Sequence, residues 1–250
     1  MKLESLLQYL DEYLEVEEFP DYAFAHNGLQ VDGPTEVEHV AVAVDASEAV
    51  ILEAVDQGVD LLIVHHGLFW DGGTRVTGPR FRKLRSLIEG STALYGCHLP
   101  LDAHVQVGNC AVLCRELGWE PAGRFGTYQE REFGWWCEVD SERDALATHV
   151  EEVVGGPVRV IAGGPKHVYR VGVVTGAAAS LIPEAAVFGL DALLTGEGSH
   201  HTYNEAMEFG VTAFYAGHYA TETWGVKALA AHIEDRFGIP WEFIDAPTGL

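Results

Sequence analysis

The sequence predicts an α/β protein in two units, with mixed, largely parallel sheets flanked by helices. Two observations carry that prediction. Apolar runs of strand length alternate with helical patterns almost throughout the chain. In addition, several of those runs end in glycine or in a polar cluster, as the carboxyl ends of strands in open α/β sheets do. With 250 residues and 48% hydrophobic content, the chain can bury a sizeable core and sits between one large domain and two small ones.

The elements follow in order. Val37 to Val44 reads as a strand, and Ser47 caps a helix that runs to about Gln57, with Gly58 at its end. Val59 to Val64 is the next strand. A basic helix from about Arg80 to Glu89 stops at Gly90, Thr92 to Cys97 is a third strand, and a helix spans about Val107 to Leu117. The stretch Gly118 to Gly126 is rich in turn residues. Gly134 to Val139 then starts a strand, and a helix capped by Ser141 stops at Gly155-Gly156. Further strands are expected at Val158 to Ala162, Tyr169 to Val174, Ala192 to Leu194, Val211 to Ala216 and Trp241 to Ile244. Helices are expected at Ile182 to Phe188, Tyr203 to Phe209 and Thr221 to Phe237. We place one α/β domain at 1–124 together with 216–250, and a second at 125–215.

Charge narrows the function. Thirty-eight acids against fifteen Lys and Arg give a net charge of −23, and only Lys2, Lys83, Lys166 and Lys227 are lysines. Such a surface repels polyanions, so no nucleic-acid partner is expected. An excess of acids with few lysines fits a cytoplasm that holds molar salt, where screening shortens the reach of self-repulsion. No apolar run approaches the roughly 18 residues of a membrane helix, and Lys2, Glu4 and Asp11 stand where a signal peptide would be apolar. We therefore expect a cytoplasmic protein with no membrane partner. Cys97, Cys110, Cys114 and Cys137 show no C-x-x-C pairing and lie in apolar segments, which reads as buried free thiols.

The residues that carry chemistry stand at strand ends. His65 and His66 follow Leu61-Leu62-Ile63-Val64; His98 and Asp102 follow Thr92 to Cys97; Gly217, His218 and Glu222 follow Val211 to Ala216. A strand alternates its side chains, but at its end the backbone turns and two neighbours can face one cavity. Taken singly, each residue has an ordinary structural reading: a buried histidine, a turn cap, a first-turn helix acid. Three apolar strands delivering His or carboxylate at the same end do not. Imidazole with carboxylate suits Zn, Fe, Mn, Co or Ni, whereas a Ca or Mg cage would need more oxygens. Five such ligands exceed what one catalytic ion takes from protein, so two divalent transition-metal ions are expected on His65, His66, Asp102, His218 and Glu222.

At these residues the chain resembles the Nif-three-like family, whose members are labelled GTP cyclohydrolase I type 2 homologs. Five stretches carry the likeness: Asn27-Gly28-Leu29-Gln30-Val31, Ile63 to Trp70, Leu94 to His104, Leu194-Thr195-Gly196-Glu197 and Gly217-His218-Tyr219-Ala220-Thr221-Glu222. The resemblance implies the same five ligands for two metals. It also implies two α/β domains with a metal site between them, and a ring-shaped homohexamer. Where the broader family often reads His-Thr-Asn-Leu-Asp, this chain has Leu99 and Pro100 in the middle of His98 to Asp102, a form that looks like the compact branch without an inserted domain.

Glu197, His98 and His104 are the candidates for acid–base work or substrate contact beside the ligands. Trp70, Tyr95 and Tyr215 flank them and offer stacking faces, or simply core packing. Val171 to Gly176 with Ala177 and Ala178 reads as a tight turn in preference to a phosphate cradle. The reaction expected is hydrolysis of a small nucleotide-like or nitrogen-heterocyclic substrate; a metal-delivery or scaffold protein is the competing reading.

Overall fold

A computed structural model describes residues 1–70 and 75–249. The chain divides into two compact units, Met1–Leu101 with Gly225–Ala246, and Asp102–Trp224 with Pro247–Leu250.

The first unit begins with α1 (Leu3–Tyr13), which buries Leu3, Leu6 and Leu10 at helical spacing. It continues through β1 (Gly28–Val31), β2 (Val40–Asp45), α2 (Glu48–Asp56), β3 (Leu61–His66), α3 (Gly78–Gly90) and β4 (Ala93–Gly96). Ser47 caps α2 as expected, its hydroxyl accepting from the Val50 amide at 3.2 Å. The sheet runs β1-β4-β3-β2-β11, where β11 is Trp241–Phe243. Every pairing in it is parallel except β1 with β4. Leu61, Leu62, Ile63 and Val64 are fully buried, which is why β3 is a continuous apolar run and not an alternating one. Its core packs Val50, Ile51, Ala54 and Leu87 of α2 and α3 against Ala41, Ala43, Leu62 and Val64.

The short helix α4 (Leu99–Ala103) precedes α5 (Asn109–Glu116), β5 (Pro121–Tyr128), β6 (Arg131–Glu142) and α6 (Arg143–Val154). Then come β7 (Arg159–Ala162), β8 (His167–Val173), a 3-10 turn at Ala179–Leu181, α7 (Ile182–Phe188), β9 (Ala192–Thr195), α8 (Thr202–Phe209), β10 (Thr212–Tyr215) and α9 (His218–Phe237). The second sheet runs β5-β6-β8-β9-β10-β7. β8, β9 and β10 are parallel neighbours, while β5, β6 and β7 join antiparallel. The sheets are thus both mixed, with the parallel part at the centre of the second.

Several expectations shift. The turn-rich stretch Gly118 to Gly126 forms β5, whose register with β6 slips between Pro121 and Gly123. Ser141 lies inside β6 and caps nothing; Glu142 stands at the start of α6, and Gly155 with φ of 72° ends it. Residues 102–124, grouped by sequence with the first domain, cluster with the second sheet, because β5 pairs with β6 and Cys114 of α5 packs in one core with Cys137 of β6. No helix among the described residues is long and apolar enough to cross a membrane.

Candidate metal centre

The first unit brings three histidines together. β3 does not stop before its histidines; His65 and His66 are its last two residues. Even so, their rings lie 4.7 Å apart, and that of His98 is 5.0 Å from the first and 5.7 Å from the second. One nitrogen from each lies within 4.8 Å of the others, close enough to hold one ion. Each ring is oriented through Nδ1. That of His65 meets the Cys97 carbonyl at 3.0 Å, that of His66 meets Asp45 at 2.9 Å, and that of His98 meets Asp21 at 2.9 Å. An imidazole whose Nδ1 is spent on an oxygen presents Nε2 to a metal, which is how metal-binding histidines are usually fixed.

Asp21 and Asn27 belong to the loop before β1. The Asp21 carboxylate, almost fully buried, also accepts from the Tyr22 and Leu99 amides and the Asn27 side chain. Burial alone would raise its pKa, but His98 and these donors outweigh it and hold Asp21 below the ordinary carboxylate value. Asn27 in turn accepts from the His98 amide at 2.8 Å.

The second unit offers carboxylates. Asp102, 4% exposed, accepts from Asn109 at 2.9 Å and Thr175 at 3.2 Å, and one of its oxygens lies within 4.8 Å of one from Glu222. α9 starts at His218, earlier than the pattern suggests, so His218 and Glu222 are one turn apart on one helix face. Glu222 is therefore placed by its i,i+4 relation to His218, whose Nε2 it approaches to 3.1 Å, and less by the helix dipole. The other ring nitrogen, Nδ1, meets Glu197 at 2.8 Å. Glu222 against burial, joined by Glu197, pushes the pKa of His218 up to about 9. Gly176, with φ of 66°, passes directly over this pair: a Cβ there would stand 2.1 Å from Glu222 Oε1 and 3.3 Å from His218 Nε2.

The donor set fits a divalent transition ion. It combines imidazole with carboxylate, and the thiols are out of play. All four cysteines are buried and none is in a disulfide; burial beside Asp102 pushes the Cys110 thiol up to about 12, and Cys114 packs 3.6 Å from Cys137.

The remaining candidates separate. His98 stands with His65 and His66, while Glu197 serves as the outer partner of His218. His104 uses Nδ1 to accept the Gln106 and Val107 amides, which makes it a local turn cap. Tyr95 is fully buried, with its hydroxyl on Asp11, and Tyr215 bonds Thr202; both pack. Of the three aromatic candidates, Trp70 is the one that touches the histidines, edge-on to His98 at 4.9 Å. Of the Val171 to Gly176 segment, Val171 to Val173 close β8, and in the turn that follows the Gly176 amide donates to the Thr221 hydroxyl.

Sequence reasoning missed Asp21, Asn27, Asp45, Asn109 and Thr175, the residues that orient the ligands. No spacing announces them, since all but Asn109, seven residues from Asp102, reach their partners from a distant segment. The Asn-Gly-Leu-Gln-Val stretch was the one available signal. Gln30 lies where any side chain on Gly67 or Gly96 would stand, so it wedges β4 against the turn after β3.

Comparison with known proteins finds relatives along the whole chain. The family model Duf34/NIF3 (NGG1p interacting factor 3) matches residues 1–248. A protein of Deinococcus radiodurans called GTP cyclohydrolase 1 type 2 homolog is 42% identical over 99% of this chain and 94% of its own length. One of the same name from Halobacterium salinarum is 44% identical over 92% and 93%. The crystal structure of TTHA1606 from Thermus thermophilus superposes with a TM-score of 0.93 at 42% identity, covering all of both chains.

Proposed function

The chain belongs to the Duf34/NIF3 family, and on that footing we propose that His65, His66, Asp102, His218 and Glu222 hold two divalent transition-metal ions in a hydrolase centre. The observation that carries the reading is the shared construction of the histidines. Each spends Nδ1 on an oxygen, three of them on carboxylates, and so turns Nε2 toward a common purpose. Imidazoles tethered at the same nitrogen hold their Nε2 atoms in fixed directions, as a metal site needs.

Divalent ions bound there supply Lewis acidity for hydrolysis. The chain's own residues do the rest. Asp102 and Glu222, nearly fully buried, concentrate negative charge where cations are wanted. Asp45 and Glu197 each hold one of the imidazoles by its Nδ1 and fix its orientation. The substrate class we propose is a small nucleotide-like or nitrogen-heterocyclic compound, in keeping with the name of the relatives.

Elemental analysis of protein purified without chelator tests the centre. About two transition ions per chain are expected, with most of that metal lost on Asp102→Ala or Glu222→Ala. Metal-free wild-type protein would end this reading. Metal-loaded protein that turns over no nucleotide or heterocycle, yet passes its ions to an acceptor, would establish a metal-delivery protein instead. We further propose a homohexamer.

A further inference from the structure

Beside the His218 pair, wholly within the second unit, lies a cavity of about 290 Å³ lined by Ala177, Ala179, Ser180, Glu197, Ser199 and His201 among others. We propose that it is the substrate's ring pocket: it takes a planar nitrogen heterocycle that turns a paired N–H edge to the Glu197 carboxylate. The inference rests on the reading of the centre as one that acts on a small molecule.

Three features lead to it. Glu197 links pocket and centre, because one carboxylate oxygen accepts from His218 Nδ1 at 2.8 Å while the side chain stays 49% exposed and lines the cavity. A ring held on this carboxylate is thus one residue away from a metal ligand. The walls are also low. Ala177 and Ala179 offer only methyl groups, and Gly198 offers none, since a Cβ there would stand 2.5 Å from the Tyr215 hydroxyl. Small walls suit a flat ring. The volume lies at the lower end of small-molecule sites, roughly 300–1,000 Å³, enough for one ring system but not for a whole nucleotide.

Charge selects the class. A carboxylate only accepts hydrogen bonds, so its partner must donate, and the Ser180 and Ser199 hydroxyls can serve either way. A phosphate is unwelcome, because two like charges 4 Å apart repel by about 4 kcal/mol near a protein surface. An amidine-like edge, such as N1–H with the 2-amino group of guanine, meets a carboxylate with two charge-assisted bonds.

Calorimetry with metal-loaded protein tests this, using guanosine as probe and inosine, which lacks only the 2-amino group, as control. Metal content is measured on every sample. Guanosine should bind, with inosine about tenfold weaker for the lost bond. Ser180→Trp should fill the pocket and abolish binding with metal retained. Glu197→Gln, which keeps an acceptor for His218 but loses the charge, should weaken guanosine about tenfold. Equal binding of the two nucleosides, wild-type affinity in Ser180→Trp, or no guanosine binding at millimolar concentration would each overturn the pocket. Should the wild-type protein take up no metal, the metal-centre reading fails instead, and the same nucleoside comparisons on that protein still decide the pocket.

Discussion

The histidines of this protein are defined by their second nitrogen. His218 is the clearest case, held by Glu197 on one side and facing Glu222 on the other. Its pKa of about 9 in the metal-free protein lies above the ordinary 6.5, so the imidazolium contributes stability that is fully present below pH 6.5 and lost as pH rises through about 9. A metal must displace that proton. Uptake of Zn at pH 7.5 should therefore release a proton that His218→Gln does not release, and apparent affinity should fall as pH drops below about 9. Titration calorimetry in two buffers of different ionisation enthalpy reads that proton directly; equal release by both proteins would refute the assignment. Glu197→Gln separates orientation from ligation. It should leave the metal nearly in place while lowering any turnover, whereas His218→Ala should lose metal and rate together.

At the scale of elements, the site depends on where strands and helices begin. β3 carries its two histidines inside its last hydrogen-bonded residues, and α9 opens on His218. Both boundaries were misplaced by sequence periodicity, which sees apolar spacing and not hydrogen bonds. The turn after β8 matters as much. Gly176 adopts a left-handed φ and lies against Glu222, so Gly176→Ala should both strain the backbone, by about 1 kcal/mol, and displace the carboxylate. We expect a lowered unfolding temperature together with reduced metal content. A variant that loses only stability would show that the close approach is incidental. α1 escaped notice although Leu3, Leu6 and Leu10 mark a helical stripe; it has no side-chain cap to announce its start. Leu10 is fully buried, so Leu10→Ala should cost about 2–5 kcal/mol in denaturant unfolding without touching metal content.

At the scale of the molecule, charge dominates. Of the 38 acids, Glu4, Asp11, Glu12, Glu17, Glu18 and Asp32 surround one groove of about 570 Å³. Burial and the nearby Glu17 raise the Asp11 carboxyl above its usual value despite the Tyr95 hydroxyl. Self-repulsion of this kind is screened by salt, so the unfolding midpoint should rise between about 0.1 M and above 1 M NaCl. Glu17→Gln with Glu18→Gln should reduce that dependence. A flat midpoint in the wild type would overturn the adaptation to high salt that we propose from this charge. Light scattering in high salt should give six times 27.3 kDa for the hexamer we propose.

The sequence by itself determined the α/β class, most of its strands and helices, and the five candidate ligands, because apolar period, glycine stops and ligand chemistry are all local. Those signals lie within a few residues of one another. Only the tertiary structure decided what surrounds the ligands. Asp21 reaches His98 across 77 residues of chain, Thr175 reaches Asp102 across 73, and Glu197 reaches His218 across 21. It also gave the His104 Nδ1 two turn amides to accept, set the Cys110 thiol against Thr175 beside Asp102, and turned a turn-rich stretch into β5. The physical reason is the same in each case: a hydrogen bond between distant segments depends on how strands and helices are packed and registered, and nothing in a single run of residues records which distant group will arrive.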